Sequence, residues 1–70
     1  MEQVFFIGNN IYTASQIREI GKSQASIWDA VCLSYRIDDD DESVKFSCVG
    51  HGELFETSVE FSELEKYAIA

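Results

Sequence analysis

The chain has 70 residues, 46% of them hydrophobic and 13% aromatic, and a formal net charge of −8. That length suits one domain with a small core, and the aromatic content argues against an acidic disordered segment. No apolar run reaches the roughly 20 residues of a membrane-spanning helix, and the start lacks the basic residues and cleavage site of a signal peptide. We therefore expect one soluble, cytoplasmic domain.

The acidic residues are concentrated in the second half of the chain. Residues 1–35 contain three acidic and two basic residues, whereas residues 36–70 contain ten acidic and three basic residues. Because phosphate groups are bound mainly by lysine and arginine, this balance disfavours direct binding to nucleic acid or to an anionic membrane. It favours a partner with a basic surface, although the same charge could serve only to keep a small protein soluble.

The first predicted elements are a strand and a helix. The strand is the apolar run Val4–Ile7, which is followed by a turn over residues 8–10. The helix is predicted to begin at Ala14, because Thr13 and Gln16 have the spacing of a capping box.

Two alternatives remain open for the rest of the helical segment. In the first, one helix continues to about Val31 and contains Gly21, at a cost of about 1 kcal/mol relative to alanine. In the second, Gly21 ends a first helix and Ser23 caps a second one.

Three strands with alternating apolar and polar residues are predicted to follow as an antiparallel meander with one solvated face. In the first of them, the apolar side consists of Val31, Leu33, Tyr35 and Ile37. The connections are a loop at Asp38–Glu42 and a turn at residues 50–52. In the last strand, Phe55, Val59 and Phe61 are expected to be buried, with Glu56 and Glu60 exposed.

A second capping-box pattern at Ser62–Glu65 predicts a short C-terminal helix. The predicted fold class is therefore α+β: a short N-terminal strand, one long or two short helices, a three-stranded antiparallel meander and a short C-terminal helix. The helical segment is expected to cover one face of the sheet.

The sequence offers few candidates for catalysis. His51 is the single histidine, and a hairpin turn does not hold a nucleophile or carboxylate firmly against it. Cys32 has no basic neighbour close enough to activate it, and Cys32 and Cys48 lack the spacing of metal ligands, so both are expected to be reduced, inert thiols. The Asp38–Glu42 run lacks the central glycine of a calcium loop. We therefore expect no enzyme, metal or cofactor.

Residues 13–31 resemble a helix-turn-helix of the Cro and phage-repressor type. Around Gly21, apolar residues stand at the spacing of that motif: Ile17, Ile20, Ile27 and Val31. The resemblance implies a small winged helix-turn-helix transcription regulator of phage origin, with the strands as wing and dimer surface. It implies DNA-binding residues on the second helix at Ser23, Gln24 and Trp28.

In size, charge and α+β plan, the whole chain is also similar to the small acidic proteins that phages use against bacterial defence, including anti-CRISPR proteins and nucleic-acid mimics. That resemblance implies a non-enzymatic inhibitor, of anti-CRISPR or anti-restriction type, in the cytoplasm of a bacterial host. Its partner would be a host protein with a basic nucleic-acid-binding groove. The partner-binding carboxylates would be Asp38, Asp39, Asp40, Asp41, Glu42, Glu53, Glu56 and Glu60. The DNA-binding regulator is the alternative, and a homodimer is left open.

Overall fold

A computed structural model describes residues 2–67, which form an α+β fold with two small antiparallel sheets. The elements in chain order are β1 (Val4–Ile7), β2 (Asn10–Thr13), α1 (Ala14–Ile27), β3 (Val31–Asp38), β4 (Ser43–Gly50), β5 (Glu53–Glu60), α2 (Phe61–Leu64) and a 3₁₀ turn (Glu65–Tyr67). The predicted fold class is confirmed. Within residues 2–67, no helix has the length and apolar character needed to cross a membrane.

The N-terminal strand is one half of a β-hairpin, and its second strand was not predicted from the sequence. β1 pairs with β2, and Ile7 lies opposite Asn10. Asn10 therefore belongs to the second strand, and the turn is one residue shorter than predicted. Gly8 opens the two-residue turn with a φ of 61°, a conformation that glycine adopts without a steric cost. Tyr12 of β2 is fully buried, so the hairpin contributes to the core.

Helix α1 begins at Ala14, as predicted from the capping box. The Gln16 N–H donates to Thr13 Oγ1 over 3.1 Å, and the Thr13 N–H donates to Gln16 Oε1 over 2.7 Å. The helix then continues without interruption to Ile27, so the two-helix alternative is wrong. The extension of the single helix to Val31 is also wrong, because that residue begins β3.

A Schellman-type arrangement ends α1. The N–H groups of Asp29 and Ala30 donate to the carbonyl oxygens of Ser26 and Ala25, over 3.1 and 3.0 Å. Asp29 has a φ of 54°, a left-handed conformation that aspartate tolerates better than most residues other than glycine. The chain therefore leaves the helix at this point and turns directly into β3.

Gly21 is where α1 comes very close to the sheet. A Cβ atom at this position would lie 2.6 Å from Phe46 Cδ1 and 2.9 Å from Cys32 Sγ. Those distances are shorter than any normal contact between heavy atoms. The glycine inside α1 therefore allows close packing of the helix on β3 and β4, and it does not mark a turn.

Strands β3, β4 and β5 form the predicted meander in that order. The side of β4 that faces α1 consists of fully buried residues, namely Val44, Phe46 and Cys48. In β5, Val59 is buried whereas Glu56 and Glu60 are exposed, which confirms the predicted register. Phe55 is only half buried.

The C-terminal helix is present, but its predicted cap is wrong. α2 begins at Phe61, which is half buried, and its N-cap residue is Glu60, which makes no side-chain capping hydrogen bond. Ser62 is therefore already inside the helix, so it cannot cap it. Leu64 is fully buried and anchors α2 to the core.

Strand β3 contains a β-bulge between Cys32 and Ser34, and this bulge overturns part of the predicted alternation. Because of the extra residue, the part of β3 before the bulge no longer continues the alternation of the part after it, and its side chains point to the opposite face of the sheet from the one predicted. Tyr35 is half buried on the α1 side, as expected, but Val31 and Leu33 are 63% and 59% exposed. The first half of β3 therefore presents apolar side chains to solvent.

Candidate functional site

The three-stranded sheet has one face turned away from α1, which we call the open face. Its residues follow from the strand register: Val31, Ser34, Arg36 and Asp38 of β3, Ser43, Lys45, Ser47 and Val49 of β4, and Leu54, Glu56, Ser58 and Glu60 of β5. All of them are exposed or half exposed except Ser43 at the start of β4. The open face is therefore available for contact with another molecule.

One end of the open face is apolar. Val31, Val49 and Leu54 are opposite one another on the three strands. Leu33, at the bulge, is exposed two residues along β3 from Val31. Leu54 is 77% exposed, more than either Val31 or Leu33. We call Val31, Leu33 and Leu54 the apolar end.

The other end of the open face is acidic and consists of Asp38–Glu42 with Glu60, which we call the acidic end. Asp38, Ser43 and Glu60 are opposite one another on the three strands. The Phe61 N–H donates to the Glu42 carbonyl oxygen over 2.8 Å and ties the β3–β4 loop to the end of β5. The two rows are six positions apart along β4, from Ser43 to Val49, which is about 20 Å at the rise of a strand.

Two aspartates of the acidic end support the shape of the loop. The Asp41 N–H donates to Asp38 Oδ1 over 3.1 Å, and Lys45 Nζ donates to Asp41 Oδ2 over 2.7 Å. The Lys45 hydrogen bond is the main reason that the pKa of Asp41 lies below its ordinary value, and the same bond raises the pKa of Lys45. These two carboxylates therefore have partners within the protein.

Arg36 neutralises part of the acidity in the middle of the open face. Its guanidinium nitrogens lie 3.7 Å from Asp38 Oδ2 and 3.8 Å from Glu56 Oε2. In contrast, Asp39, Asp40 and Glu60 are exposed and form no ion pair within residues 2–67. The free negative charge of the face is therefore concentrated at the acidic end.

The structure brings most of the predicted partner-binding carboxylates together, but not all of them. Asp38–Glu42 and Glu60 form the acidic end, and Glu56 lies on the same face beside Arg36. Glu53 does not join them, because it pairs with Gly50 at the far end of β5 and alternates onto the opposite side. The apolar end was missed from the sequence, since the bulge that exposes it leaves no local signal.

The residues predicted for DNA binding do not form a recognition helix. Ser23 is exposed on α1, Gln24 is half buried, and Trp28 lies beyond the last helical residue. The Trp28 ring contacts Phe55 edge to face, with ring centroids 6.4 Å apart. Since residues 13–31 contain one helix, the second helix of a helix-turn-helix is not formed.

The residues considered for catalysis lie apart from the open face. His51 is in the β4–β5 turn with a φ of 53°, and its Nε2 is 3.9 Å from Asp29 Oδ2. Cys32 and Cys48 are free thiols on the α1 side of the sheet. No group of three or more histidine, cysteine, aspartate or glutamate side chains in the described part of the chain is arranged to hold a metal ion.

Comparisons of the chain with protein-family models, with curated proteins and with solved structures found no match.

Proposed function

We propose that this protein is a non-enzymatic inhibitor that binds a bacterial nucleic-acid-binding protein through the open face of its sheet. The carboxylates of the acidic end would occupy the basic groove in which that protein binds nucleic acid. The observation that supports the proposal most strongly is the combination of an apolar end and an acidic end on one exposed face.

The apolar end favours a protein as the partner. Val31, Leu33 and Leu54 are well exposed. Their burial against a partner would therefore contribute about 25 cal/mol of binding free energy for each Å² of apolar surface removed from water. A patch of apolar side chains beside charged ones is the usual composition of a protein–protein interface. The partner therefore needs an apolar contact next to its basic groove.

The acidic end favours a basic groove as the target. Asp39, Asp40 and Glu60 carry charge that no lysine or arginine of the described chain neutralises. Carboxylates at the end of a sheet can lie where the phosphates of a nucleic acid would bind. Their long-range attraction would speed association with a basic partner, and salt would screen it.

The single helix α1 disfavours the alternative function, a DNA-binding regulator. Its support was the resemblance of residues 13–31 to a helix-turn-helix, and α1 is a single helix with Gly21 packed on the sheet. The net charge of −8 also disfavours direct contact with phosphates.

The proposal can be tested by affinity capture from a bacterial lysate at low salt, with three forms of the protein as bait. The first is the wild type, the second is Asp39→Asn/Asp40→Asn, and the third is the control Glu19→Gln/Glu65→Gln. Both double variants lose two negative charges, but Glu19 and Glu65 are exposed residues outside the open face.

We expect the wild type and the control to retain the same nucleic-acid-binding protein, which moderate salt and an added oligonucleotide both release. The acidic-end variant should retain clearly less of it. Equal losses with both double variants would show that only net charge matters, and the proposal would then be wrong. Capture that an oligonucleotide does not affect would also contradict it.

A further inference from the structure

Cys32 and Cys48 lie directly opposite each other on neighbouring strands. They are Cα partners in the β3–β4 register, and both are free thiols. Opposite residues of an antiparallel pair have Cα atoms about 4.5–5.5 Å apart, a separation that a disulfide spans without backbone movement. Both side chains also lie on the α1 side of the sheet. The pair therefore has the placement needed for a cross-strand disulfide.

Cys32 can be reached from solvent, whereas Cys48 cannot. A groove of about 710 Å³ runs between α1 and the edge strand β3, and Cys32 is part of its wall. That volume is in the range of small-molecule sites. Cys48 is fully buried, and burial raises the pKa of its thiol. A reagent that enters the groove therefore meets Cys32 first.

Gly21 of α1 lies against the Cys32 sulfur. A Cβ atom on residue 21 would lie 2.9 Å from Cys32 Sγ, so any larger residue would press on the sulfur. The glycine that allows close packing of α1 also keeps a side chain off the thiol.

Two basic residues of α1, Arg18 and Lys22, line the same groove, together with one acidic residue, Glu19. A guanidinium nitrogen of Arg18 lies 3.7 Å from the Glu2 carboxylate oxygen Oε1. Lys22 is the one lysine or arginine of residues 2–67 with no carboxylate within 4.0 Å. Lys22 therefore supplies an unpaired positive charge to the groove, in a protein whose net charge is −8, and the exposed carboxylate of Glu19 lies in the same groove.

We propose that the groove is a thiol–disulfide exchange site for a small anionic disulfide such as glutathione disulfide. The Cys32 thiolate attacks one sulfur of the reagent, forms a mixed disulfide and releases one glutathione thiolate. Cys48 loses its proton and attacks the Cys32 sulfur, which forms the Cys32–Cys48 disulfide and releases the second glutathione thiolate. The protons lost by the two cysteines end on the two released thiolates, so two protein thiols are oxidised and one reagent disulfide is reduced.

The order of the two steps follows from burial. Lys22 and Arg18 attract the anionic reagent to Cys32, and the buried Cys48 then resolves the mixed disulfide from the opposite strand. The product joins the edge strand β3 to β4 beside the bulge at Leu33. This chemistry does not depend on the proposed inhibitor function.

The test is incubation of the reduced protein with glutathione disulfide, followed by intact-mass measurement without reductant. The wild type should lose two hydrogen atoms in mass as the internal disulfide forms. Cys48→Ala should stop at a mixed disulfide with one glutathionyl group on Cys32. Cys32→Ala should form neither product.

The role of the basic residues is tested with the rate of the first step. Lys22→Gln in the Cys48→Ala background should slow the reaction with glutathione disulfide about threefold at low salt. It should leave the rate with the uncharged reagent hydroxyethyl disulfide unchanged. Lys66→Gln, which changes an exposed lysine outside the groove, is the matched control and should alter neither rate.

Three results would overturn the proposal. The wild type could remain reduced under conditions that oxidise a free thiol peptide, or it could form only disulfides between chains. Alternatively, Cys48 could react when Cys32 is absent. If Lys22→Gln leaves both rates unchanged or slows both reagents equally, the groove does not select an anionic reagent, and that part of the proposal is wrong.

Discussion

The replacement Gly21→Ala tests the packing of α1 on the sheet, because two effects predict opposite results. Alanine favours a helix by about 1 kcal/mol over glycine, so propensity alone predicts a more stable protein. However, the new Cβ atom would lie 2.6 and 2.8 Å from Cδ1 and Cε1 of Phe46. The Phe46 ring is fully buried, and the close packing of protein interiors leaves a buried ring little room to move.

The steric effect should be the larger one. The two contacts with Phe46 are about 1 Å shorter than the normal separation of non-bonded carbon atoms, and the Cβ atom would also lie 2.9 Å from Cys32 Sγ. Overpacking of a core costs about 1–3 kcal/mol. With a cost near the upper end of that range and a propensity gain of about 1 kcal/mol, the net loss in the free energy of unfolding is about 2 kcal/mol. For a domain of this size that loss lowers the melting temperature by about 10 °C.

Urea denaturation followed by far-UV circular dichroism measures this difference. Ser23→Ala, at an exposed position of α1, is the control, and it should raise stability by a few tenths of a kcal/mol through propensity alone. In a Phe46→Leu background, the penalty of Gly21→Ala should shrink, since the clashing ring is gone. If Gly21→Ala stabilises the protein by about as much as propensity predicts, the close approach of α1 to the sheet is wrong.

Three further predictions concern the cap, the core and the acidic loop. Thr13→Ala removes half of the capping box and should lower the free energy of unfolding in urea by about 1 kcal/mol. Leu64→Ala should cost about 2–5 kcal/mol, whereas Leu54→Ala, at an exposed position, should change stability by less than about 0.5 kcal/mol. The Lys45 ammonium lowers the pKa of Asp41 on folding, so this pair stabilises the protein at neutral pH and stops doing so as the pH falls through the folded-state pKa. The melting temperatures of wild type and Asp41→Asn should accordingly differ slightly at about pH 6 and converge once the pH is low enough to protonate Asp41 in the folded protein.

Local chemistry made the start of α1 predictable from the sequence, whereas its end was not. The cap at Thr13 satisfies N–H groups three residues away, so the signal and its effect lie in one short segment. At the other end, Asp29 occupies the left-handed position that glycine usually takes, and the sequence around it shows no stop signal. Gly21 looked like a helix end for the opposite reason, because its role depends on a ring 25 residues away in the sequence.

The hairpin and the bulge show two different limits of the sequence pattern. Gly8 and the residue after it are a known hairpin-turn pair, so the second strand could have been predicted from the turn alone. The bulge between Cys32 and Ser34 could not, because it exists only through the pairing of β3 with β4. A perfect alternation placed Val31 and Leu33 on the buried side, and the bulge exposes both.

The candidate site was predictable to a similar extent. A run of acidic residues between two strands indicates an exposed loop, and the structure places Asp38–Glu42 there. The sequence did not predict which of these carboxylates lack an ion-pair partner. Arg36 reaches Asp38 on its own strand and Glu56 on another, and only the register of the sheet brings these groups together.

If the proposed function is right, the open face and a nucleic acid compete for one site on the partner protein. The direct measurement uses the captured partner with a fluorescent oligonucleotide bound, and follows anisotropy as this protein is added at two ionic strengths. The wild type should displace the oligonucleotide fully, and Asp39→Asn/Asp40→Asn should need a higher concentration and show a weaker dependence on salt. If both ligands bind simultaneously, or if the variant displaces the oligonucleotide as well as the wild type does at both ionic strengths, the proposed function is wrong.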